Sequence, residues 1–375
     1  MFVRISKIKP SMKTILVDIN HPAHVHLFKY FIQEMKAQGY RVIVTAKEVK
    51  VIIRLLEAYK IEYIKVGQKK DSLALKYIYE FFHLLKVLGI VWKYRVDYGI
   101  GISMVLPILT KITRMKVIAL DDDDLTVTPT FAKAISFAST ILNPSALSFE
   151  DRGPNRICHP SFHELAYLHP NRFEPQVSVL KELGIEPGET FFIMRFNVFK
   201  AHHDAGVRGL DIAQKLRIIK LLKPFGKIFI TTERDIEPEI KEYQLPVAPE
   251  KIHSLMYFAT LFVGDSQTMI SEAALLGTPA IKLNSFAGRL SIPNEIEEKY
   301  ALCYSFLPNQ FEEMIALIDR LVHQKKLKED WALRRQKMLM DKVDLTDFLV
   351  RLVAHYPESI RMAKENPDHR ISVAQ

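Results

Sequence analysis

The chain reads as an α/β protein of two Rossmann-like, doubly wound parallel-sheet domains with a cleft between them, and three observations carry that reading. Its 375 residues exceed one ordinary domain and suit two of ~150 to 200 residues, each able to bury its own core. Short apolar runs alternate with stretches of helical period, the pattern of a parallel sheet covered on both faces. The alternation also runs twice, on either side of a proline-containing break.

In the first half, Thr14–Ile19 (TILVDI) is a buried-strand run. A helix is predicted over 26–38, where Leu27, Phe28, Phe31, Ile32 and Met35 share a face and Gly39 ends it. A strand over 41–45, a helix over 50–59, a strand near 63–66, a long helix over 73–94 and strands near 98–102 and 116–120 follow. The break comes at His169-Pro170-Asn171-Arg172-Phe173-Glu174-Pro175, then a short helix and the turn Ile185-Glu186-Pro187-Gly188. The second series has strands at 191–196, 227–231, 261–264 and 280–283, with helices at 211–222, 252–259 and 268–276 between them. From Gln310 onward the chain is helical and rich in charge. This divides it into an N-terminal domain (12–170), a linker (171–187), a C-terminal domain (188–345), and a helix and tail (346–375) that could pack back on the N-terminal domain.

At 48% hydrophobic and 25% charged residues the composition is that of a globular protein. Cys158 and Cys303 stand far apart without metal-ligand spacing, which argues against a disulfide framework or structural zinc and fits a reducing cytoplasm. Residues 1–11 lack the apolar core of a secretory signal. The most apolar region, 84–120, is interrupted by Lys86, Lys93, Arg95, Asp97, Lys111, Arg114 and Lys116, so no transmembrane helix is expected. The net charge of +9 suits a phosphorylated substrate or an anionic lipid surface. No nucleic-acid recognition motif accompanies it.

The sharpest signal is the run from Phe262 to Ala280, FVGDSQTMISEAALLGTPA. A strand delivers the turn Gly264-Asp265-Ser266 to a helix start, where unpaired amides and the positive end of the helix dipole favour a phosphate. Ser266, Gln267 and Thr268 add polar groups, and Glu272 sits less than two helical turns beyond Ser266, placed to accept from ribose hydroxyls. The plainer alternative is a helix capped by Ser266 or Thr268 and closed by Gly277.

This run resembles the C-terminal-domain motif of glycosyltransferases of the type B (GT-B) fold and of UDP-N-acetylglucosamine 2-epimerases, in which a Ser-containing turn binds the diphosphate and a helix Glu binds ribose. The resemblance puts Ser266 and Glu272 in those roles. Asn20-His21-Pro22-Ala23-His24-Val25-His26-Leu27-Phe28 is similar to the strand-loop-helix opening of the lipid II-forming N-acetylglucosaminyltransferase, with His24 matching its loop His. Pro22-Ala23 stand where that enzyme has flexible glycines, a departure on the acceptor side. Over about residues 12–356 the chain is also similar to the uncharacterised family known as domain of unknown function 354. Its motifs resemble Asp18 to His26, Arg195 with Ala201-His202-His203-Asp204, and Gly264 to Pro279.

Three further groups are candidates. His21, His24 and His26 could ligate a metal, but without a Cys or carboxylate at ligand spacing a neutral His24 is the better general base for an acceptor hydroxyl. Plain satisfaction of backbone groups is the alternative. Arg195 at a strand end, with Lys200, His202, His203 and Asp204 after it, could neutralise a departing diphosphate or form a solvated loop. His253 begins a helix beside the expected nucleotide. Asp121 to Asp124 read as a solvated loop rather than a divalent-cation site. The expectation is a metal-independent glycosyltransferase without cofactor, taking a nucleotide-sugar, UDP-linked, and an unidentified glycan or lipid-linked acceptor. A UDP-sugar 2-epimerase or a non-catalytic nucleotide-sugar-binding protein are the alternatives. The helix over 73–94, with Phe81, Phe82 and Trp92 among its lysines, makes peripheral membrane contact a further expectation.

Overall fold

The structure, a computed structural model, describes residues 12–67, 73–196, 209–232 and 236–365, with the backbone alone for 73–79. His202, His203 and Asp204, with Lys200 and Ala201, lie outside the described residues.

Seven strands form the N-terminal sheet: β1 (Thr14–Ile19), β2 (Arg41–Lys47), β3 (Ile64–Gly67), β4 (Tyr98–Gly101), β5 (Lys116–Leu120), β6 (Thr140–Pro144) and β7 (Arg156–His159). All pair in parallel, in the order β3-β2-β1-β4-β5-β6-β7. The second sheet holds β8 (Phe191–Arg195), β9 (Lys227–Thr231), β10 (Leu261–Gly264), β11 (Ala280–Leu283) and β12 (Cys303–Phe306), also parallel, in the order β12-β11-β10-β8-β9. Each order reverses once, between β1 and β4 and between β8 and β10. In open α/β sheets the crevice at such a reversal, beyond the carboxyl ends of the strands, is where ligands bind.

Helices cover both faces. In the N-terminal domain these are α1 (Pro22–Ala37), α2 (Lys50–Ala58), α3 (Leu73–Tyr94), α4 (Val105–Leu109) and α5 (Pro129–Ile135). One core packs α1 and α2 against the sheet and runs on into the second domain. A separate core under α3, α4 and α5 is built on Leu16, Val87, Val91, Leu106 and Val117. The short α6 (Leu165–Leu168) and α7 (Ser178–Glu182) lead to the second sheet, which carries α8 (Ile212–Leu222), α9 (Ile252–Phe258), α10 (Gln267–Leu276), α11 (Ser291–Asn294), α12 (Phe311–Val322) and α13 (Leu327–Asp341). The chain then returns as α14 (Leu345–Ala354) and α15 (Glu358–Glu365), with α14 packed on α1 and α6. Asp344 caps α14 by accepting from the Asp347 amide and binds Arg172 Nε at 2.6 Å, while another nitrogen of Arg172 meets Glu34 of α1. A side chain between the two sheets thus ties the returning helix to the first domain.

The β8/β10 reversal demands a glycine. A Cβ on Gly264 would stand 2.2 Å from the Arg195 carbonyl oxygen, a backbone atom that cannot move without spoiling the pairing of β8 with β10. Gly264→Ala is expected to destabilise the chain by ~3 kcal/mol, the cost of overpacking at a rigid site, and to lower its thermal midpoint in calorimetry; an unchanged midpoint would contradict the close approach.

Candidate functional site

The carboxyl ends of both sheets face one another, and two connected compartments lie between them. The larger, of about 540 Å³, is walled by Arg195 and Thr231 from strand ends β8 and β9, His253 of α9, and Ser266, Thr268 and Glu272 from β10–α10. The smaller, of about 290 Å³, takes His24, Asp122, Asp123, His163, Glu164 and Tyr167 from the first domain, with Thr268, Ser271 and Ile292 from the second. His21, Ala23, Gln267 and Thr268 border both.

In the larger compartment Ser266 is the N-cap of α10, yet its side chain makes no cap hydrogen bond. The hydroxyl is therefore not spent on the helix and lines the cavity beside α10's free amides. Gly264 and Asp265 lie behind this turn. The Asp265 amide donates to the Arg195 carbonyl at 3.1 Å, and its own carbonyl accepts from Asn284 at 3.0 Å. Gln267 opens α10, and its Oε1 accepts from the fully buried Lys282 at 2.7 Å. A cation thus stands behind the helix start, while the Gln267 Nε2 has no protein partner. Arg195 is buried and donates through Nη1 to Thr231 Oγ1 at 3.3 Å.

Glu272 is 5% exposed and joins the domains. Its Oε1 accepts from the Tyr167 hydroxyl at 2.7 Å and lies 3.0 Å from His253 Nε2. Burial opposes its charge, but His253, Tyr167 and Arg195 hold the carboxyl below the ordinary carboxylate range. Against this pair His26 packs edge-on, 4.7 Å from the His253 ring, with its Nδ1 3.1 Å from the Tyr59 hydroxyl. Burial first, then His253 and Lys29, keeps His26 neutral.

The three early histidines do not converge. His21 is the N-cap of α1 and accepts the Ala23 amide on Nδ1; His24, ahead of the helix predicted over 26–38, and His26 both belong to the first turns of α1 and face different compartments. Pro22 at the first helical position extends α1 back to them. Among the described residues no three His, Cys, Asp or Glu side chains are arranged to hold a metal ion. His24 is 8% exposed, and its Nδ1 accepts from the Asn20 amide at 3.3 Å. Burial, then His21, pushes its pKa down to about 3. The neutral ring consequently carries its proton on Nε2, and it offers the cleft a donor as long as the Asn20 bond holds.

The stretch Asp121 to Asp124 is a loop with Asp123 exposed, as expected, but three of its acids are claimed by partners. Asp121 pairs with Arg152, Asp122 lies 3.1 Å from His163 Nδ1, and Asp124 accepts from the Ser291 amide at 3.0 Å and from its hydroxyl. The last pair bridges the domains at the edge of the smaller compartment. Sequence reasoning missed His163, Glu164 and Tyr167, which follow the short, polar strand β7 in a stretch to which the pattern assigns no element. Glu164 is 9% exposed and its Oε2 has no hydrogen-bond partner; the same holds for His163 Nε2. Burial, with Asp122 next, pushes Glu164 up to about 7. Burial works against charge on His163 too, but Asp122 lifts its pKa above the ordinary histidine value. The compartment therefore holds a carboxyl that can exchange a proton near neutrality and an imidazole whose protonated form is favoured.

Solved structures share this two-domain arrangement. UDP-GlcNAc 2-epimerase from Neisseria meningitidis, bound to UDP-GlcNAc, superposes with a TM-score of 0.66 at 12% identity, over 91% of this chain and 99% of that one. S. aureus MnaA with UDP gives 0.65 at 10% identity over 92% and 97%. The glycosyltransferase VinC in complex with DTDP gives 0.62 at 10% identity over 94% and 100%. At such identities the likeness establishes the fold, GT-B, and not the reaction. No curated protein sequence matches. A family model matches residues 13–358, and the chain belongs to that family, described as "Protein of unknown function (DUF354)".

Proposed function

We propose that the chain is a metal-independent glycosyltransferase that binds a UDP-linked sugar, with the nucleotide in the larger compartment and the sugar in the smaller. The observation that carries this is the continuity of the two compartments at Gln267 and Thr268. A diphosphate on the α10 amides and the Ser266 hydroxyl would leave ribose near Glu272 and direct the sugar toward His24, His163 and Glu164. Arg195, with Lys282 acting through Gln267, stabilises the departing diphosphate electrostatically, the help a metal would otherwise give. The proton of an acceptor hydroxyl passes to Glu164, whose Oε2 is open, while His163, favoured in its protonated form beside Asp122, and His24 each donate a hydrogen bond to a sugar oxygen. Ile102, Leu290 and Ile292 give the smaller compartment an apolar lip, a side from which an acceptor can approach.

A 2-epimerase is the second reading. It is favoured by the number of proton-exchanging groups around one small compartment, since removing and returning a proton at sugar C2 needs more than the single base that transfer requires. Incubation with a panel of UDP-sugars separates them: UDP released in step with acceptor glycosylation is expected for transfer, an isomerised UDP-sugar for epimerisation, and binding of no UDP-sugar sinks both.

His24→Ala is expected to lower turnover ~100-fold with little change in nucleotide affinity. Because His24 stays neutral through the working range, the pH–rate profile should keep its shape in the variant. Loss of one limb of that profile would instead return His24 to the role of base.

A further inference from the structure

The outward face of α3 is apolar where a surface helix should be polar. Phe81 is 57% exposed, Phe82 55%, Leu85 46% and Trp92 62%. The inward face is conventionally buried through Val87 and Val91, and His83 is fixed by Asp18 at 3.4 Å in an ion pair that burial isolates from water. The exposed row is therefore held rigidly and is not a frayed end. It spans about 16 Å from Phe81 to Trp92 at 1.5 Å per residue. In the same layer α4 and the turn after it add Ile108 and Ile112, and Phe137 follows α5.

Charge on this layer is cationic apart from Glu80 at the head of the exposed row, which is paired with Lys47 and His83, and Asp97 just beyond the end of α3. Lys86, Lys93, Arg95, Lys111, Arg114, Lys116 and Lys133 are all exposed, and no Asp or Glu occurs in residues 81–96, 105–120 or 129–139. A protein partner of mixed charge would be met by both signs. Aromatic side chains among cations, with an indole near the rim, suit the interface of an anionic bilayer, which rewards apolar insertion and positive charge together. No described helix is long and apolar enough to cross a membrane, so contact would be from the side.

We infer that the α3–α4–α5 face of the N-terminal domain docks on an anionic lipid surface, with Phe81, Phe82, Leu85 and Trp92 entering the headgroup region and the surrounding lysines and arginines held by lipid phosphates. This stands independently of what the cleft binds, although it would bring the apolar lip of the smaller compartment close to a lipid-borne acceptor.

The experiment is co-sedimentation of the full chain with phosphatidylglycerol–phosphatidylcholine vesicles and with phosphatidylcholine alone, at low and high salt. Trp92 also reports directly, because the other tryptophan, Trp331, is fully buried. Salt-sensitive binding to the anionic vesicles alone is expected, with a blue shift of Trp92 emission. Phe82→Glu with Trp92→Glu should abolish binding, and Lys86→Glu with Lys93→Glu should weaken it at least tenfold. Leu333→Glu, at an equally exposed apolar position on α13, should change nothing. Absence of binding at low salt, equal loss in the Leu333→Glu control, or a lipid-free dimer in light scattering that Phe82→Glu dissociates would each overturn the inference.

Discussion

Glu164→Gln is expected to lower turnover by ~100-fold or more, the size of a lost general base or acid, while making the protein more stable above neutral pH. Both follow from one fact: a carboxyl buried beside Asp122 with an oxygen left unbonded. Its pKa in the folded chain is about 7, above the ordinary 4.5, so folding favours its protonated form. Between those two values the folded state holds more protons than the unfolded state, and stability falls as pH rises through that window, by up to ~3 kcal/mol. Glutamine keeps the shape and cannot ionise. Compared by thermal melts, the variant should match the parent at pH 4, where both side chains are neutral, and exceed it at pH 8. The limb of the pH–rate profile near 7 should move or vanish, and because Asp122 and His163 act on Glu164 electrostatically that limb belongs to the cluster. Parental turnover in a Glu164→Gln variant of unchanged stability would remove Glu164 from the site.

Much of the fold was legible because its strands are apolar runs of the length a doubly covered sheet requires. Thr14–Ile19, Lys116–Leu120, Lys227–Thr231, Leu261–Gly264 and Ala280–Leu283 stand as read. The strands that escaped, Thr140–Pro144, Arg156–His159 and Cys303–Phe306, contain Asn143, Pro144, Arg156, His159 or Ser305, and their sheet positions are settled by neighbours rather than by their own pattern. The site divides in the same way. Ser266, Gln267, Thr268 and Glu272 are encoded locally, by a strand, a glycine and a helix start. His163, Glu164 and Tyr167 are brought to the cleft by a strand the pattern did not reveal. Nothing in Asp121 to Asp124 announces that Arg152, His163 and Ser291 will each claim one carboxylate, since all three partners are distant in sequence. The tautomer of His24, by contrast, is set locally, by the amide of Asn20 four residues earlier, once α1 begins as early as Pro22.

Glu272→Ala is expected to weaken nucleotide binding by ~1 to 3 kcal/mol, roughly a five- to 150-fold rise in Kd, because ribose hydroxyls lose their acceptor in a dry site. Ser266→Ala should cost binding energy in the same range through the diphosphate. The two differ in what else they disturb. Glu272 also receives the Tyr167 hydroxyl across the domain boundary and faces His253, so alanine leaves two buried polar groups unpaired and should lower the thermal midpoint even without ligand. Ser266 makes no cap bond, so its alanine variant should melt close to the parent. Glu272→Gln separates the effects: its amide oxygen can still accept from Tyr167, preserving most of the stability, while the lost charge still weakens the ribose contact. Calorimetric titration with UDP alongside ligand-free melts measures both quantities. If Glu272→Ala loses stability but Glu272→Gln and Ser266→Ala bind UDP like the parent, Glu272 is a strut between the domains, and the nucleotide does not lie in the larger compartment.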